Sequence, residues 1–188
     1  MKTFKFTNKL FLSLFAVALI SCSDDDTSAP INEEEVITTV RTTLVGGGQT
    51  ITLLSTDLDG GDGPNPPVVF VSGNLTAGTT YTGSVAFLNE TVNPADDITT
   101  EVEEEGVDHQ IFYQAPASIG TFTYTDTDAN GKPIGLDFTL VTASAATGDL
   151  TVTLRHLPNK SAAGVSTGNI ANAGGSTDAQ VKYPLVVN

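Results

Sequence analysis

The chain has 188 residues, which is enough for one domain preceded by short N-terminal segments. Its 22 acidic residues outnumber its 8 lysines and arginines, so the formal net charge is −14 at pH 7. A chain this acidic is repelled by nucleic acids and by anionic lipid surfaces, which excludes nucleic acid as a partner. The 39% hydrophobic content and regular apolar alternation predict a packed core over most of the chain.

Residues 1–21 have the pattern of a secretory signal. Three lysines precede an apolar run of 11 residues at 10–20, too short to span a bilayer, which needs about 20. The following Leu19-Ile20-Ser21-Cys22 resembles the bacterial lipobox, and Cys22 is the only cysteine of the chain. We therefore expect cleavage before Cys22 and membrane anchoring through acyl chains such as palmitate on this residue. The alternative is a chance cysteine after an ordinary signal peptide.

Residues 22–35 are predicted to be an acidic, lipid-anchored tether, because they show no apolar period. Within them, Ser23-Asp24-Asp25-Asp26 looks like the acidic export tag of Bacteroidota surface lipoproteins. That likeness implies an outer-membrane location with exposure on the cell surface. A plain solvated linker is the alternative. The remaining residues, 36–188, form the predicted folded domain.

From Val36 onward the apolar residues recur with period two. The runs are rich in Val, Ile, Thr and Phe and are separated by Gly, Pro, Asp and Asn clusters, which is typical of short strands. The sequence therefore predicts an all-β, antiparallel β-sandwich of about 8–9 strands, either Ig-like or barrel-like. The predicted strands are 37–44, 50–53, 68–71, 81–88, 109–114, 121–125, 136–141, 150–157 and 181–187.

One segment, near 94–105, predicts a single short helix. Asn93 is a capping residue, Pro94 suits the first helical position, and Asp96 and Asp97 suit the first turn. A second irregular segment, 158–179, is a long Gly-, Ala- and Ser-rich connection. Loops of this length in compact domains are often functional, so we count it among the candidate binding loops.

A calcium loop is the most specific chemical pattern in the sequence. Asp126, Asp128 and Asn130 occupy positions 1, 3 and 5, a glycine follows, and Asp137 stands at position 12. Calcium needs six to eight hard oxygen ligands around such a turn. Asp at position 12 in place of Glu, a proline in the second half and flanking strands depart from the pattern. The alternative is a plain hairpin with Asp137 facing solvent.

A second acidic loop repeats part of this theme. Asp57, Asp59 and Asp62 alternate with glycines, but no carboxylate follows before the next strand. Glycine and proline explain this segment as a turn. Calcium is therefore the first-choice cofactor that the sequence suggests, and neither loop establishes it.

The two histidines are the second choice for a metal site. His109 opens one predicted strand and His156 ends another. If those strands were neighbours, the imidazoles with Asp108 or Glu105 could bind zinc or copper. The alternative is a hydrogen bond at each strand end.

No catalytic motif in the sequence has the flanking elements and partner residues that its chemistry needs. Gly164-Val-Ser-Thr-Gly168 matches the nucleophile-elbow pattern G-x-S-x-G, but loop-like residues flank it and no histidine follows it in the chain. The chain also lacks a phosphate loop and a dinucleotide fingerprint. The sequence therefore predicts a protein without enzymatic activity.

Several segments together resemble a group of Bacteroidota lipoproteins. They are Thr151–Ser161, Gly164-Val165, Asn172–Gly175, the Asp57-Leu-Asp-Gly loop and Glu103-Glu-Glu with His109-Gln110. Such proteins are often labelled type 1 periplasmic binding fold, which implies two doubly wound α/β lobes, and some accompany TonB-dependent receptors. The strand pattern of this chain predicts an all-β fold instead.

These observations predict a non-enzymatic cell-surface lipoprotein. It would bind a ligand or partner through loops 57–67, 126–137 and 158–179, serving a TonB-dependent outer-membrane uptake system. Its partners would be the membrane, through the lipid anchor, and an outer-membrane receptor. The alternative function is a calcium-stabilised structural or adhesive surface module.

Overall fold

A computed structural model describes residues 35–61 and 63–188, all within one compact unit that runs from Glu34 to Asn188. The predicted signal segment, Cys22 and the tether up to residue 34 lie outside the described residues. The strands are β1 (Thr39–Gly46), β2 (Gln49–Thr56), β3 (Val68–Val71), β4 (Thr80–Asn89), β5 (Asp96–Asp97), β6 (His109–Gln114), β7 (Gly120–Tyr124), β8 (Asp137–Thr142), β9 (Ala146–His156) and β10 (Ser176–Val187).

The strands form two open antiparallel sheets. The large sheet has the order β3-β2-β1-β4-β8-β7, with β5 paired to β4, and the small sheet has the order β10-β9-β6. An isolated parallel bridge joins Leu75 to Val187 of β10. The predicted all-β, antiparallel sandwich with one short helix is thereby confirmed.

Alternation along the strands builds the core between the two sheets. In β4, Tyr81, Gly83, Val85 and Phe87 are buried, while the residues at the alternate positions between them are more exposed. Leu150, Val152 and Leu154 of β9 are buried in the same cluster. Because neighbouring strand residues point to opposite faces, period two in the sequence becomes one apolar face on each sheet.

Two tyrosines connect the sheets through the core. Tyr183 of β10 donates a hydrogen bond of 2.8 Å to the carbonyl of Val40 in β1. Burial raises the pKa of Tyr183, so its hydroxyl remains a donor. In β6, the Tyr113 ring lies 4.1 Å, centroid to centroid, from the Phe138 ring of β8. Each polar hydroxyl is satisfied, as buried tyrosines require.

The helix α1 spans Ile98–Glu104, inside the predicted region 94–105. The expected start at Asn93 and Pro94 is wrong in detail. Asp96 and Asp97 pair with Asn89 and Leu88 of β4 and are extended, so the helix begins after them. Asp97 is its N-cap, and its side chain accepts a hydrogen bond from the amide of Thr99. Sheet pairing therefore overrides the local capping signal.

The long connection after β9 is ordered against the outer face of the small sheet. It contains two 3-10 turns, Val165–Thr167 and Ile170–Asn172. Val165 and Ala173 pack with Phe112 of β6 in a second apolar cluster. The buried Gln110 side chain donates to the Val165 carbonyl at 2.8 Å. Much of this segment therefore covers the sheet instead of projecting as a free loop.

No doubly wound α/β lobe is present in residues 35–61 and 63–188, where α1 is the one α-helix. The fold thus follows the strand pattern and differs from the fold named in the label of the resembling group. Within these residues no helix has the length and apolar character needed to cross a bilayer.

The contact between Gly83 and Phe138 yields a stability prediction. The two residues are paired in β4 and β8, and a Cβ added to Gly83 would lie 2.3 Å from the Phe138 ring, which is fully buried. We expect Gly83→Ala to lower the free energy of unfolding by about 1–3 kcal/mol through overpacking, measured by chemical denaturation. Gly61→Ala, where no atom lies within 4 Å, is the control. Equal stability of the two variants would contradict this account.

Candidate metal centre

Four side chains with metal-ligating atoms meet at one end of the small sheet. They are Glu35, His109, His156 and Asp178, and one ligand atom from each lies within 4.8 Å of those of the others. We call this group the inner centre. Its members come from the segment before β1, from β6, from β9 and from β10. The group therefore depends on the tertiary fold and has no local sequence motif.

The pairing of β6 with β9 brings the two histidines together. His109, the first residue of β6, lies directly opposite His156, the last residue of β9. Both side chains continue the faces that carry Ile111 and Leu154 into the core, because alternate residues share a face. Their ring centroids are 4.7 Å apart. The imidazoles thus end the apolar interior of the sandwich.

A register shift in β10 accounts for the position of Asp178. Thr177 pairs with Arg155 and Ala179 pairs with Leu154, so Asp178 is the extra residue of a β-bulge. Simple alternation from Tyr183, whose side chain is in the core, would turn Asp178 outward. The bulge re-aims its side chain towards the histidines, a known use of bulges near functional sites.

Glu35 joins the inner centre from the segment that leads into the large sheet. It is the last residue of the predicted tether and precedes β1 of the large sheet. Its carboxylate is nevertheless only 5% exposed, and its Oε1 lies 3.2 Å from His109 Nε2. The Oδ2 atom of Asp178, whose side chain is 2% exposed, lies 3.8 Å from the same nitrogen. The inner centre therefore links the chain before the large sheet to the small sheet.

The hydrogen bond at the other ring nitrogen of His109 indicates its tautomer. Nδ1 lies 3.2 Å from the carbonyl oxygen of Glu105, which can only accept, so Nδ1 carries a proton. In the neutral ring, Nε2 then presents a lone pair to the two carboxylates. This arrangement, with the non-ligating nitrogen held by a carbonyl, is the usual support of a metal-binding histidine.

An imidazolium at His109 is the alternative explanation for the nearby carboxylates. It would need an acceptor in line with Nε2–H, yet Nε2 makes no hydrogen bond with any described residue. Nδ1 of His156 and Oε2 of Glu35 are also buried without a hydrogen-bond partner in the described part of the chain. Buried polar atoms without partners are costly, and a shared cation would satisfy them together.

The donor set determines which ions fit. Two imidazoles with carboxylates suit zinc and other borderline divalent transition metals. Sulfur donors, which Cu(I) prefers, are limited in this sequence to Cys22 and Met1, both outside the described residues. Ligand atoms around a tetrahedral zinc lie about 3.4 Å apart for bonds of about 2.1 Å, so modest side-chain movement would close the group.

Burial gives the inner centre the character of a closed site. His109 is fully buried, and 6% of His156 is exposed. Four protein ligands complete a tetrahedral shell and leave no position for a reacting water, as in structural zinc sites. The arrangement can bind an ion and connect the two sheets.

Two further glutamates adjoin the inner centre through Glu35. One carboxylate oxygen from each of Glu35, Glu101 and Glu105 lies within 4.8 Å of the other two. Burial raises the pKa of Glu101, and the negative charges of Glu35 and Glu105 raise it further. Both Glu101 and Glu105 are exposed. We call this second group the outer group.

The structure thus brings His109 and His156 together, as the second-choice prediction required. The carboxylates beside them are Glu35 and Asp178, in place of the expected Asp108 or Glu105 side chains. Glu105 contributes its backbone carbonyl to the tautomer of His109. No signal in the sequence identifies Asp178, because a bulge depends on strand pairing. Glu35 is the last acid before the first strand, but an acidic run alone gives it no role.

The predicted calcium loop is a connection between β7 and β8 that holds an internal cation. Lys160, which is 6% exposed, donates through Nζ to Asp128 Oδ2 at 2.9 Å, to the Pro133 carbonyl at 3.0 Å and to the Gly106 carbonyl. Asp128 Oδ1 accepts from two amides of its own loop, those of Asn130 and Lys132. The ammonium group therefore neutralises this loop from within.

The other predicted calcium ligands differ in their contacts and exposure. Both oxygens of Asp126 accept backbone amides, from Gly135 and Asp137. Asn130 and Asp137 are exposed. Asp126, Asp128 and Asp137 are not among the groups of the described residues whose ligand atoms lie within 4.8 Å of one another. Calcium binding here stays a prediction, and a calcium ion would have to displace the Lys160 ammonium.

The Lys160–Asp128 pair has a clear pH dependence. Burial alone would raise the pKa of Asp128, but the hydrogen bonds from Lys160, Lys132 and Asn130 outweigh it and lower the pKa below its ordinary 3.8. Burial lowers the pKa of Lys160, against the opposing effect of Asp128. The stabilisation from ionised Asp128 is therefore complete above its ordinary pKa and is lost as the pH falls through its lower folded-state pKa.

The second acidic loop is explained by local hydrogen bonds. Asp59 Oδ2 accepts from the side-chain and backbone nitrogens of Asn65 at 2.7 and 3.2 Å. Burial and the neighbouring Asp59 raise the pKa of Asp57, while Asp62 lies outside the described residues. These contacts fit the turn that the sequence offered as the simpler explanation.

Comparison of the chain with protein-family models, with curated proteins and with solved structures gives no match in any of the three.

Lys160 generates a prediction about stability. We expect Lys160→Met to lower the free energy of unfolding by about 3–5 kcal/mol, because it leaves the Asp128 carboxylate buried without its cation. Lys182→Met is the matched control, since Lys182 pairs with Asp149 at 2.7 Å but is 65% exposed and should change stability by about 0–1 kcal/mol. Urea denaturation of both variants measures the difference. Similar losses in the two would contradict the role given to Lys160.

Proposed function

We propose that this protein is a non-enzymatic cell-surface lipoprotein that binds a divalent transition-metal ion at the inner centre. The observation that carries the proposal is the position of His109, whose Nε2 lies 3.2 Å and 3.8 Å from the buried Glu35 and Asp178 carboxylates while Nδ1 lies 3.2 Å from the Glu105 carbonyl oxygen. Zinc is the ion that best matches two imidazoles and two carboxylates in a closed site.

Charge supports a cation at this position. The carboxylates of Glu35 and Asp178 both lie within 4 Å of His109 Nε2 in a desolvated region, where a divalent ion would be a favourable neighbour. Burying a carboxylate without a cation is strongly unfavourable. At the Lys160–Asp128 pair the chain supplies its own cation. For Glu35, the ion pairs in the described residues include no lysine or arginine.

The cellular setting of this function rests on the N-terminal sequence. Cys22 in a lipobox-like segment and the acidic residues after it support anchoring at the outer membrane with exposure to the exterior. There the protein would capture or retain metal outside the cell, with a receptor of an uptake system as its proposed partner.

Zinc binding tests the proposal directly. Calorimetric titration of the metal-free protein should show a tight phase of one zinc ion per chain, because a single set of two imidazoles and two carboxylates is present. At zinc concentrations about 100-fold above Kd, binding should add about 2.7 kcal/mol of stability, or roughly 5–10 °C in Tm. Acidification should weaken binding, because the ligands must be deprotonated.

Ligand variants separate metal binding from mere packing. His109→Gln, Glu35→Gln and Asp178→Asn should each weaken zinc binding by more than the roughly 10–100-fold typical of outer-shell substitutions. Without metal, Glu35→Gln should be as stable as the parent or more stable, because it removes buried charge. Asp149→Asn, at an exposed position in β9, is the control and should bind zinc normally. No zinc-dependent rise in the Tm of the parent would overturn the proposal.

Lipid attachment is tested separately. Cells fed radiolabelled palmitate should label the parent protein but not Cys22→Ala, because the acyl chains require the Cys22 thiol. Ser21→Ala, which keeps a small residue before the cysteine, should retain the label. Equal labelling of Cys22→Ala and the parent would refute the anchor while leaving the metal proposal intact.

A further inference from the structure

We propose that the outer group is a second cation position, formed by carboxylate oxygens and joined to the inner centre by Glu35. This inference rests on the proposed function and extends it from one ion to two. The outer position would take a hard divalent cation such as Mn²⁺ or Ca²⁺, because its ligands are all oxygens.

Glu35 is the residue that makes a shared site. It belongs to both groups, with one oxygen in contact with His109 and the carboxylate within reach of Glu101 and Glu105. Its side chain is 5% exposed, and Oε2 is buried without a hydrogen-bond partner among the described residues. A buried carboxylate that belongs to both groups has the form of a bridging ligand, as in paired metal sites with ions about 3.5–4 Å apart.

The helix and its C-cap residue supply the other two ligands, in an arrangement that is unfavourable without a cation. Glu101 and Glu105 are four residues apart, so their like charges are close together. Glu101 lies in the first turn of α1, whereas Glu105 is the C-cap residue beside the partial negative charge of the helix C-terminus, where the last turn has no basic residue. A cation between the two carboxylates would relieve both repulsions.

Glu105, like Glu35, links the inner centre and the outer group. Its backbone carbonyl fixes the proton on His109 Nδ1, while its carboxylate belongs to the outer group. The inner position is closed, whereas Glu101 and Glu105 are exposed. The outer position is therefore open to exchange with solvent.

The test uses the full-length mature protein with zinc already bound. Mn²⁺ added to the zinc-loaded protein should be depleted from solution by one ion per chain, measured from the electron paramagnetic resonance signal of free Mn²⁺. Zinc content, measured on the same sample, should stay at one per chain. The double variant Glu101→Gln/Glu105→Gln should lose at least 90% of manganese binding and keep its zinc.

The matched control is Glu103→Gln/Glu104→Gln, which removes the same charge from exposed positions of the same helix outside the outer group. It should bind both ions like the parent. Manganese binding that falls equally in the two double variants, or no depletion of Mn²⁺ by the zinc-loaded parent, would overturn the second position. Failure of the parent to bind zinc would instead refute the proposed function.

Discussion

Along β9, the side chains of Leu150, Val152 and Leu154 point into the sandwich, and that of His156 continues the same face. The register with β6 sets His109 against it. A slip of one residue would turn each of these side chains to the opposite face, which would empty the core and separate the histidines. The core and the metal centre therefore depend on one register, and the apolar alternation that stabilises the core also positions the ligands.

Buried carboxylates have two different kinds of neighbouring group in this molecule. At the β7–β8 connection, Lys160 extends from the long loop after β9 and satisfies Asp128 and two carbonyls with one ammonium group. At the inner centre, imidazole nitrogens face the carboxylates instead. The first arrangement is complete without an ion, whereas at the second we propose that a divalent cation binds beside the carboxylates.

The inner centre also contains side chains associated with both sheets. Glu35 leads into β1 of the large sheet, while its proposed co-ligands belong to the three strands of the small sheet. An ion bound there would cross-link the two sheets. Metal binding would then stabilise the folded domain, because only the folded state brings the four side chains together.

The sequence by itself determined the elements: nine predicted strands match β1–β4 and β6–β10, and α1 lies within its predicted segment. It also marked both histidines and the unusual position of Cys22, because periodicity, composition and motif spacing are local properties. The tertiary structure decided what those residues meet. The brief pairing of Asp96 and Asp97, the bulge at Asp178, the burial of Glu35 and the reach of Lys160 all depend on contacts between distant segments. Local sequence patterns do not determine such contacts, because strand order and register are set only when the two sheets pack.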